Sequence, residues 1–237
     1  MNDNDLIQLE KVMPKKPGIY GRHKLFNSAV MITLIKINNE YNFVFEKRAK
    51  GIRQEGEICF PGGQFDPEND DSCVNAAIRE TSEEIGIEPD KIKVFGRMHT
   101  IVAAMGAVIE PFAGILQNIS PKDIKIQKSE VEKVFFVPVS WFMENKPEIY
   151  SVVLEMKPYI EKNGEKEILL PSKELGLPKR YHKPWGNIKQ RVLLYKFEDE
   201  IIWGLTAELV NEFLRIFKSS KKAKPKKYEK HFSQKKY

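Results

Sequence analysis

The segment Arg79-Glu80-Thr81-Ser82-Glu83-Glu84-Ile85-Gly86 carries three glutamates within one short stretch. In a helix, at about 100° per residue, Glu80, Glu83 and Glu84 share an arc of about 100°. Val74, Ile78, Thr81 and Ile85 fall within about 60° of one another on nearly the opposite side, a narrow stripe for a core. All three glutamates, Glu84 included, are therefore expected away from the apolar face. Like charges three and four residues apart repel, at a few tenths of a kcal/mol per pair in water. A face that needed only solvation would interleave lysine, although the pattern alone still admits that reading. A divalent cation removes the conflict, because oxygen-only carboxylate clusters suit hard ions such as Mg²⁺ or Mn²⁺. Upstream, Phe60-Pro61-Gly62-Gly63 reads as a tight turn whose two glycines let backbone approach a ligand or metal. The acidic loop Asp66 to Asp71 joins that turn to the carboxylate helix.

Other chemistries find little support. His23, His99, His182 and His231 are scattered without metal-site spacing. No GxSxG elbow or GxxxxGK[ST] loop occurs. Cys59 and Cys73 are too few for a disulfide scaffold, and Cys59 reads as a small buried residue. Trp141 and Trp203 lie in apolar surroundings and are expected in a core. In LPKRYHKPWGN, residues 177–187, Lys179, Arg180, His182 and Lys183 alternate with Tyr181 and Trp185. Such a loop is either plain surface or a place for a phosphorylated adenine ligand, held by charge and stacking.

The elements that must position these residues can be read in order. Residues 1–27 form a lead-in, with PKKPG breaking any helix begun by Asp5 to Val12. Strands are expected at Ala29 to Ile37 and Tyr41 to Phe45 around the turn Asn38-Asn39-Glu40. The helix runs from about Ser72 to Ile85 and ends at Gly86. Further strands are expected at Ile92 to Met98, Val108 to Leu116, Val131 to Pro138, Tyr150 to Met156 and Arg191 to Phe197. Trp141 to Glu144 reads as a short helix and Leu205 to Phe217 as an amphipathic one. The charged, turn-rich stretch 157–187 reads as an insertion. The sum is one mixed α/β domain with decorations, and its 237 residues suffice for a substantial core.

The net charge of +6 is concentrated at one end. Residues 218–237 hold nine lysines and one glutamate, leaving the first 217 residues at −2. A lysine-rich end with few apolar residues is expected to be a disordered, solvated arm, with at most weak affinity for polyanions. The start MNDNDLIQLEKV lacks both the basic opening and the apolar stretch of a signal peptide. Ile101 to Leu116, the longest mostly apolar run, is too short and too broken to span a bilayer. A cytoplasmic protein without a membrane span is expected.

Gly63, Arg79-Glu80, Glu83-Glu84 and Gly86-Ile87 resemble the Nudix box, a glycine–loop–helix motif for metal-dependent cleavage of nucleoside diphosphates linked to another moiety. The loop between Gly63 and Arg79 is longer than the usual box has, and Asp71 is the nearest counterpart, by spacing from Arg79, of the box's first glutamate. Arg48-Ala49, Ile52-Arg53 and GEICFPGG at 56–63 resemble the signature upstream of the box in coenzyme A diphosphatases. Blocks in MGAVIEPFAGIL, EVEKVFFVP and IWGLTAELV extend the likeness over about residues 28–215.

The resemblance implies a Nudix α/β/α sandwich with a mixed β-sheet, the hydrolase domain spanning 28–217. It implies Mg²⁺ or Mn²⁺ held by Glu80 and Glu84, with Glu83 beside them and the Gly63 carbonyl as a donor. Arg79 would orient the glutamates through a bidentate contact. Glu83 would be the general base by default, with Glu130 or Glu132 from a later loop as alternatives. Arg48, Arg53, Glu57 and Arg180 are the implied substrate-binding residues. The implied substrate is coenzyme A or a derivative, cut to 3′,5′-ADP and 4′-phosphopantetheine. NADH, ADP-ribose or another dinucleotide is the alternative. A nucleic-acid-binding protein with a degenerate box is the alternative of another class, and the intact glutamate triad argues against it. Oligomeric state is left open, a homodimer included.

Overall fold

The computed structural model describes residues 1–222. The tail expected to be disordered lies outside the described residues from Ala223 onward. Its first five residues, 218–222, instead continue a helix. In chain order the elements are α1 (Asp3–Val12), β1 (Phe26–Ile37), β2 (Glu40–Arg48), β3 (Ile58–Cys59), β4 (Gly62–Gln64) and α2 (Cys73–Ile85). Next come β5 (Ile92–Arg97), β6 (Ile101–Ala103), β7 (Ala107–Leu116), β8 (Val131–Pro138), α3 (Val139–Glu144) and β9 (Glu148–Met156). Last are β10 (Tyr159–Lys162), β11 (Glu165–Ile168), β12 (Trp185–Phe197), β13 (Glu200–Trp203) and α4 (Gly204–Lys222). They fall into two compact units: residues 1–55 with 60–136, and residues 56–59 with the chain from Val137 onward.

The first unit is built on a mixed sheet in the order β2-β1-β7-β5, as expected. β1 runs parallel to β7 along one edge. Along the other edge its second half pairs antiparallel with β2 and its first half with β4. Asn38 and Asn39, both at positive φ, form the two-residue turn that brings Ile37 opposite Glu40. Alternation along β2 sends Phe43 and Phe45 to one face, where they meet Phe60 and Phe135. Val44 goes to the other face and packs with Ala76, Ala77 and Ile85 of α2 and with Met31 and Ile35 of β1. Full burial of a side chain such as Ile85 is worth about 1.5–3 kcal/mol, which fixes α2 on the sheet.

Both ends of α2 are determined locally. Ser72 caps the start by accepting from the Asn75 N–H. Gly86 closes the end in the left-handed region, with φ 64°. Residues 124–127 then run across that end, so that the N–H groups of Lys125 and Gln127 donate to the Ile85 and Glu84 carbonyls. The lead-in is tied to this unit by Arg22, which ion-pairs with the buried Glu110 of β7 at 2.9 Å.

The second unit contains a three-stranded sheet in the order β13-β12-β9. Leu193, Tyr195 and Ile202 are buried on it, Tyr195 packs edge-on against Phe142 of α3, and α4 lies against β12 and β13. The expected insertion carries the hairpin β10–β11, and β12 begins within its last residues. Trp141 joins the aromatic cluster as expected, but Trp203 does not belong to a core: it is 45% exposed. Its position in β13 faces away from Tyr195 and Ile202, because neighbouring strand residues alternate.

A side chain at Gly86 would need positive φ and would place Cβ 2.2 Å from the Lys125 carbonyl oxygen. Gly86→Ala should therefore cost at least about 2 kcal/mol in urea unfolding. Gly96→Ala, where a Cβ meets nothing within 4 Å, should cost far less. Equal losses would contradict this account of the helix end.

Candidate functional site

The site is assembled where β4 meets α2. Pairing of Gly62 with Val30 and of Gly63 with Ala29 holds the two glycines against the edge of β1. A Cβ on Gly62 would stand 2.4 Å from the Ala29 carbonyl oxygen. One on Gly63 would stand 2.4 Å from the carboxyl carbon of Glu80. The Glu80 carboxylate thus lies against the Gly63 backbone, in the space that a Cβ would take. Beside it the Gly62 N–H donates to Glu84 Oε2 at 2.9 Å.

Glu84 corrects the expectation drawn from the helical wheel. It is 2% exposed, on a buried surface that also includes Ala76, Ala77, Thr81 and Ile85 and is wider than the expected stripe. The physical reason lies in β2. Val44 faces α2, so Glu46, two residues on, faces the same way and is completely buried. The sheet therefore supplies a polar row for Glu84. Burial, followed by the negative charge of Glu46, holds the Glu84 carboxyl well above the usual carboxylate range. The Gly62 N–H and the charge of Arg48 offset this only in part.

Arg79 is the hub of the outer half of the site. Its Nε and Nη2 donate to the two oxygens of Asp70, each at 2.9 Å. Nη1 lies 2.9 Å from Glu80 and 3.2 Å from Glu83. The expected orienting role is thus matched by contacts to both glutamates, but the bidentate partner is Asp70. Asp71, nearest by sequence spacing, is exposed. Asp70 is buried and also accepts from the Asp66 N–H, so the loop closes on itself around the guanidinium. Its hydrogen bonds to Arg79 hold the Asp70 carboxyl below the usual range despite burial. Burial raises Glu80, with Arg79 opposing the shift and the charges of Glu83 and Glu130 adding to it.

Glu80, Glu83 and Arg79 line an open cavity of about 780 Å³ together with Gln64, Phe65 and Asp66 of the loop. Among the described residues no three acidic, histidine or cysteine groups converge as a ready-made metal set. Arg79 holds Glu80 and Glu83, while Gly62 holds Glu84. The donors nevertheless fit a hard cation. All are oxygens, and the two glycines let backbone come close to them.

The remaining expected residues have separate settings. Arg48 is half-buried and donates through Nε to the Arg53 carbonyl. Arg53 is exposed, with its guanidinium 5.6 Å from the centre of the Phe26 ring. Glu57 and Arg180 belong to the second unit. There Arg180 is exposed and lies over the Tyr181 ring, which meets Trp185 edge-on. Glu132 is paired outward with Lys47, whereas Glu130 is near enough to Glu80 to act on it.

With this geometry in place, the sequence matches the NUDIX domain family over residues 26–156, 131 of its 237 residues. The chain belongs to that family. It is 30% identical over 153 residues to the peroxisomal coenzyme A diphosphatase NUDT7 of Mus musculus, covering 62% of each chain. Over 94 residues it is 37% identical to the peroxisomal coenzyme A diphosphatase ndx-8 of Caenorhabditis elegans, covering 39% of each. An uncharacterized Nudix hydrolase, NudL of Photorhabdus laumondii, is 25% identical over 84% of this chain and 87% of its own. The chain thus spans less than two thirds of the two animal relatives. Mitochondrial relatives also occur, such as the coenzyme A diphosphatase NUDT8 of Homo sapiens, so membership carries no single compartment. Among the described residues no helix is long and apolar enough to cross a membrane.

Asp70→Asn should lower stability at neutral pH by about 1.5–3 kcal/mol, the usual worth of hydrogen bonds to charged groups. Because folding depresses this carboxyl, its contribution is present above the unfolded value near 3.9 and is lost as pH falls through the lower folded value. The gap between wild type and variant in denaturant titrations should therefore narrow below about pH 4. A variant as stable as wild type at pH 7 would rule out the anchoring role of Asp70.

Proposed function

We propose that this protein is a Nudix hydrolase that cleaves the diphosphate linkage of coenzyme A or its derivatives, giving 3′,5′-ADP and 4′-phosphopantetheine, with Mg²⁺ or Mn²⁺ as cofactor. The observation that carries the hydrolase reading is the packing of the Glu80 carboxylate on the Gly63 backbone, with Glu84 held by the neighbouring Gly62 N–H. The substrate reading is supported by the likeness to the mouse and nematode coenzyme A diphosphatases.

Glu80, Glu84 and the Gly63 carbonyl would hold the cation, with Glu83 beside them. When bound, the ion supplies neutralisation of charge on the diphosphate oxygens and activation of the attacking water. Glu83, at the cavity wall, takes the proton as the water oxygen bonds to phosphorus and the bond to the leaving phosphate oxygen breaks. Glu130 is the second candidate for that base, since its charge reaches Glu80. Arg79, anchored by Asp70, positions Glu80 and Glu83. Arg48 and Arg53 of the first unit are assigned to the substrate phosphates.

The reading is tested with the purified chain and Mg²⁺ or Mn²⁺ against coenzyme A, NADH, ADP-ribose, dinucleoside polyphosphates and capped RNA. Coenzyme A should turn over fastest, and preferred hydrolysis of any other member would replace it as the substrate. Glu84→Gln should lower turnover by orders of magnitude. It should also leave the metal-free melting temperature close to that of wild type, because burial and the charge of Glu46 already keep this carboxyl protonated at neutral pH without the ion. The rise in melting temperature given by Mn²⁺ should vanish, since only a ligand of the native state stabilises it. Near-native activity in this variant would contradict the assignment of Glu84.

A coenzyme A enzyme must also hold the 3′-phosphate, and Arg48, Arg53, Lys179, Arg180 and Lys183 are the available cations. One charge-assisted contact is worth about 1.5–3 kcal/mol, so coenzyme A should exceed dephospho-coenzyme A in kcat/KM by about ten- to a hundredfold. Equal values would favour the broader dinucleotide reading.

A further inference from the structure

Glu46 is a completely buried carboxylate for which the proposed reaction has no role. It belongs to β2, whose alternation sends Asn42, Val44 and Glu46 to one face and Phe43 and Phe45 to the other. Val44 packs with Ala76, Ala77 and Ile85 of α2, so Glu46 points from the sheet toward the same helix.

The strand register brings it to one particular place. β2 pairs with β1 from Leu34 opposite Phe43 to Ile37 opposite Glu40. Counting on along both strands sets Glu46 level with Met31. By then β1 has changed partners: the Met31 N–H donates to the Pro61 carbonyl at 2.9 Å, and Gly62 and Gly63 pair with Val30 and Ala29. Glu46 therefore lies at the fork where β4 takes over that edge of β1 from β2. Gly62, at the same fork, is the residue whose N–H donates to Glu84 at 2.9 Å. The nearness of the two carboxylates shows independently in Glu84, whose carboxyl the charge of Glu46 helps to raise.

One carboxylate from the helix and one from the sheet are thus buried at the same point, Glu84 at 2% exposure and Glu46 at 0%. Buried charges are paired or coordinate metals. Arg48, next along the row, turns its Nε to the Arg53 carbonyl at 3.0 Å, and Arg79 is engaged by Asp70, Glu80 and Glu83. Were position 46 needed only to hydrogen-bond Glu84, an amide or hydroxyl would serve without adding a second buried negative charge. A hard divalent cation is the partner that carboxylate oxygens from both sides can share.

We propose that Glu46 is a further ligand of the divalent cation, supplied by the sheet opposite Glu84 on the helix. The proposal rests on the hydrolase reading and adds to it a carboxylate from outside α2 and the glycine turn.

Mn²⁺ binding to the full chain can be followed by the electron paramagnetic resonance signal of the free ion. Glu46→Gln should raise the dissociation constant by at least about tenfold, the usual cost of disturbing even an outer partner of a metal ligand. Glu132→Gln removes a charge that is paired outward with Lys47 and should leave the constant unchanged. Without metal, Glu46→Gln should melt close to wild type, while the rise in melting temperature given by Mn²⁺ shrinks. Crystals of the wild-type chain soaked in Mn²⁺ need no variant, and should show a Glu46 oxygen at bonding distance from the ion. Wild-type affinity in Glu46→Gln, or an ion bonded to Glu84 with Glu46 out of reach, overturns the proposal and leaves the hydrolase reading standing. A wild-type chain that binds no Mn²⁺ overturns both.

Discussion

Burying a carboxylate is costly unless its charge is offset, and Glu46 and Glu84 are buried near each other in this fold. Much of the first unit follows from accommodating them. β4 is held at the edge of β1 so that the Gly62 N–H reaches Glu84. Gly62 must lack a side chain, because a Cβ there would meet the β1 backbone at Ala29 and Val30, and the Glu80 carboxylate fills the space beside Gly63. β2 continues past its apolar residues so that Glu46 and then Arg48 extend the polar row beneath α2. The protein's own groups offset the negative charge only in part, an environment that would favour a hard cation.

The outer half of the site depends on a second arrangement with a different logic. Arg79 could collapse onto either neighbouring glutamate, but Asp70 holds it through two hydrogen bonds from the opposite side. The guanidinium is thereby fixed as a shared partner of Glu80 and Glu83. Burial governs Glu84 and dominates at Glu80, where Arg79 opposes it, while Arg79 holds Glu83 at the cavity edge. Residues of one helical arc consequently differ in environment: Glu84 is sealed in, Glu80 is half-buried and Glu83 is exposed at the cavity. That division suits a site in which some carboxylates hold an ion and another exchanges a proton.

Parts of this arrangement are legible in the sequence for physical reasons. α2 could be placed closely because its apolar period, the Ser72 cap and Gly86 agree with one another. The hairpin of β1 and β2 could be placed because Asn38-Asn39 tolerates positive φ. β2 was expected to stop at Phe45 because Glu46, Lys47 and Arg48 look like the end of a strand. They are instead its continuation, with alternate residues facing a polar interior. The depth of Glu84 could not be read from a helical wheel, which gives directions on a helix but not what the sheet presents to each. Asp70 was missed because its pairing with Arg79 depends on the path of a loop. No period links positions nine residues apart across a turn. Trp203 was expected inside for its apolar neighbours, whereas strand alternation turns it away from the buried Tyr195 and Ile202.

The central claim is that Glu80 and Glu84, together with the Gly63 backbone, hold a divalent cation. The most direct measurement is an anomalous difference map from crystals of the full chain soaked in Mn²⁺. The account predicts one strong peak bonded to the carboxylates of Glu80 and Glu84 and to the Gly63 carbonyl, with the Asp70–Arg79 pair unchanged. Manganese bound only elsewhere, with Glu80 still on Arg79 and Glu84 still on Gly62, would contradict it.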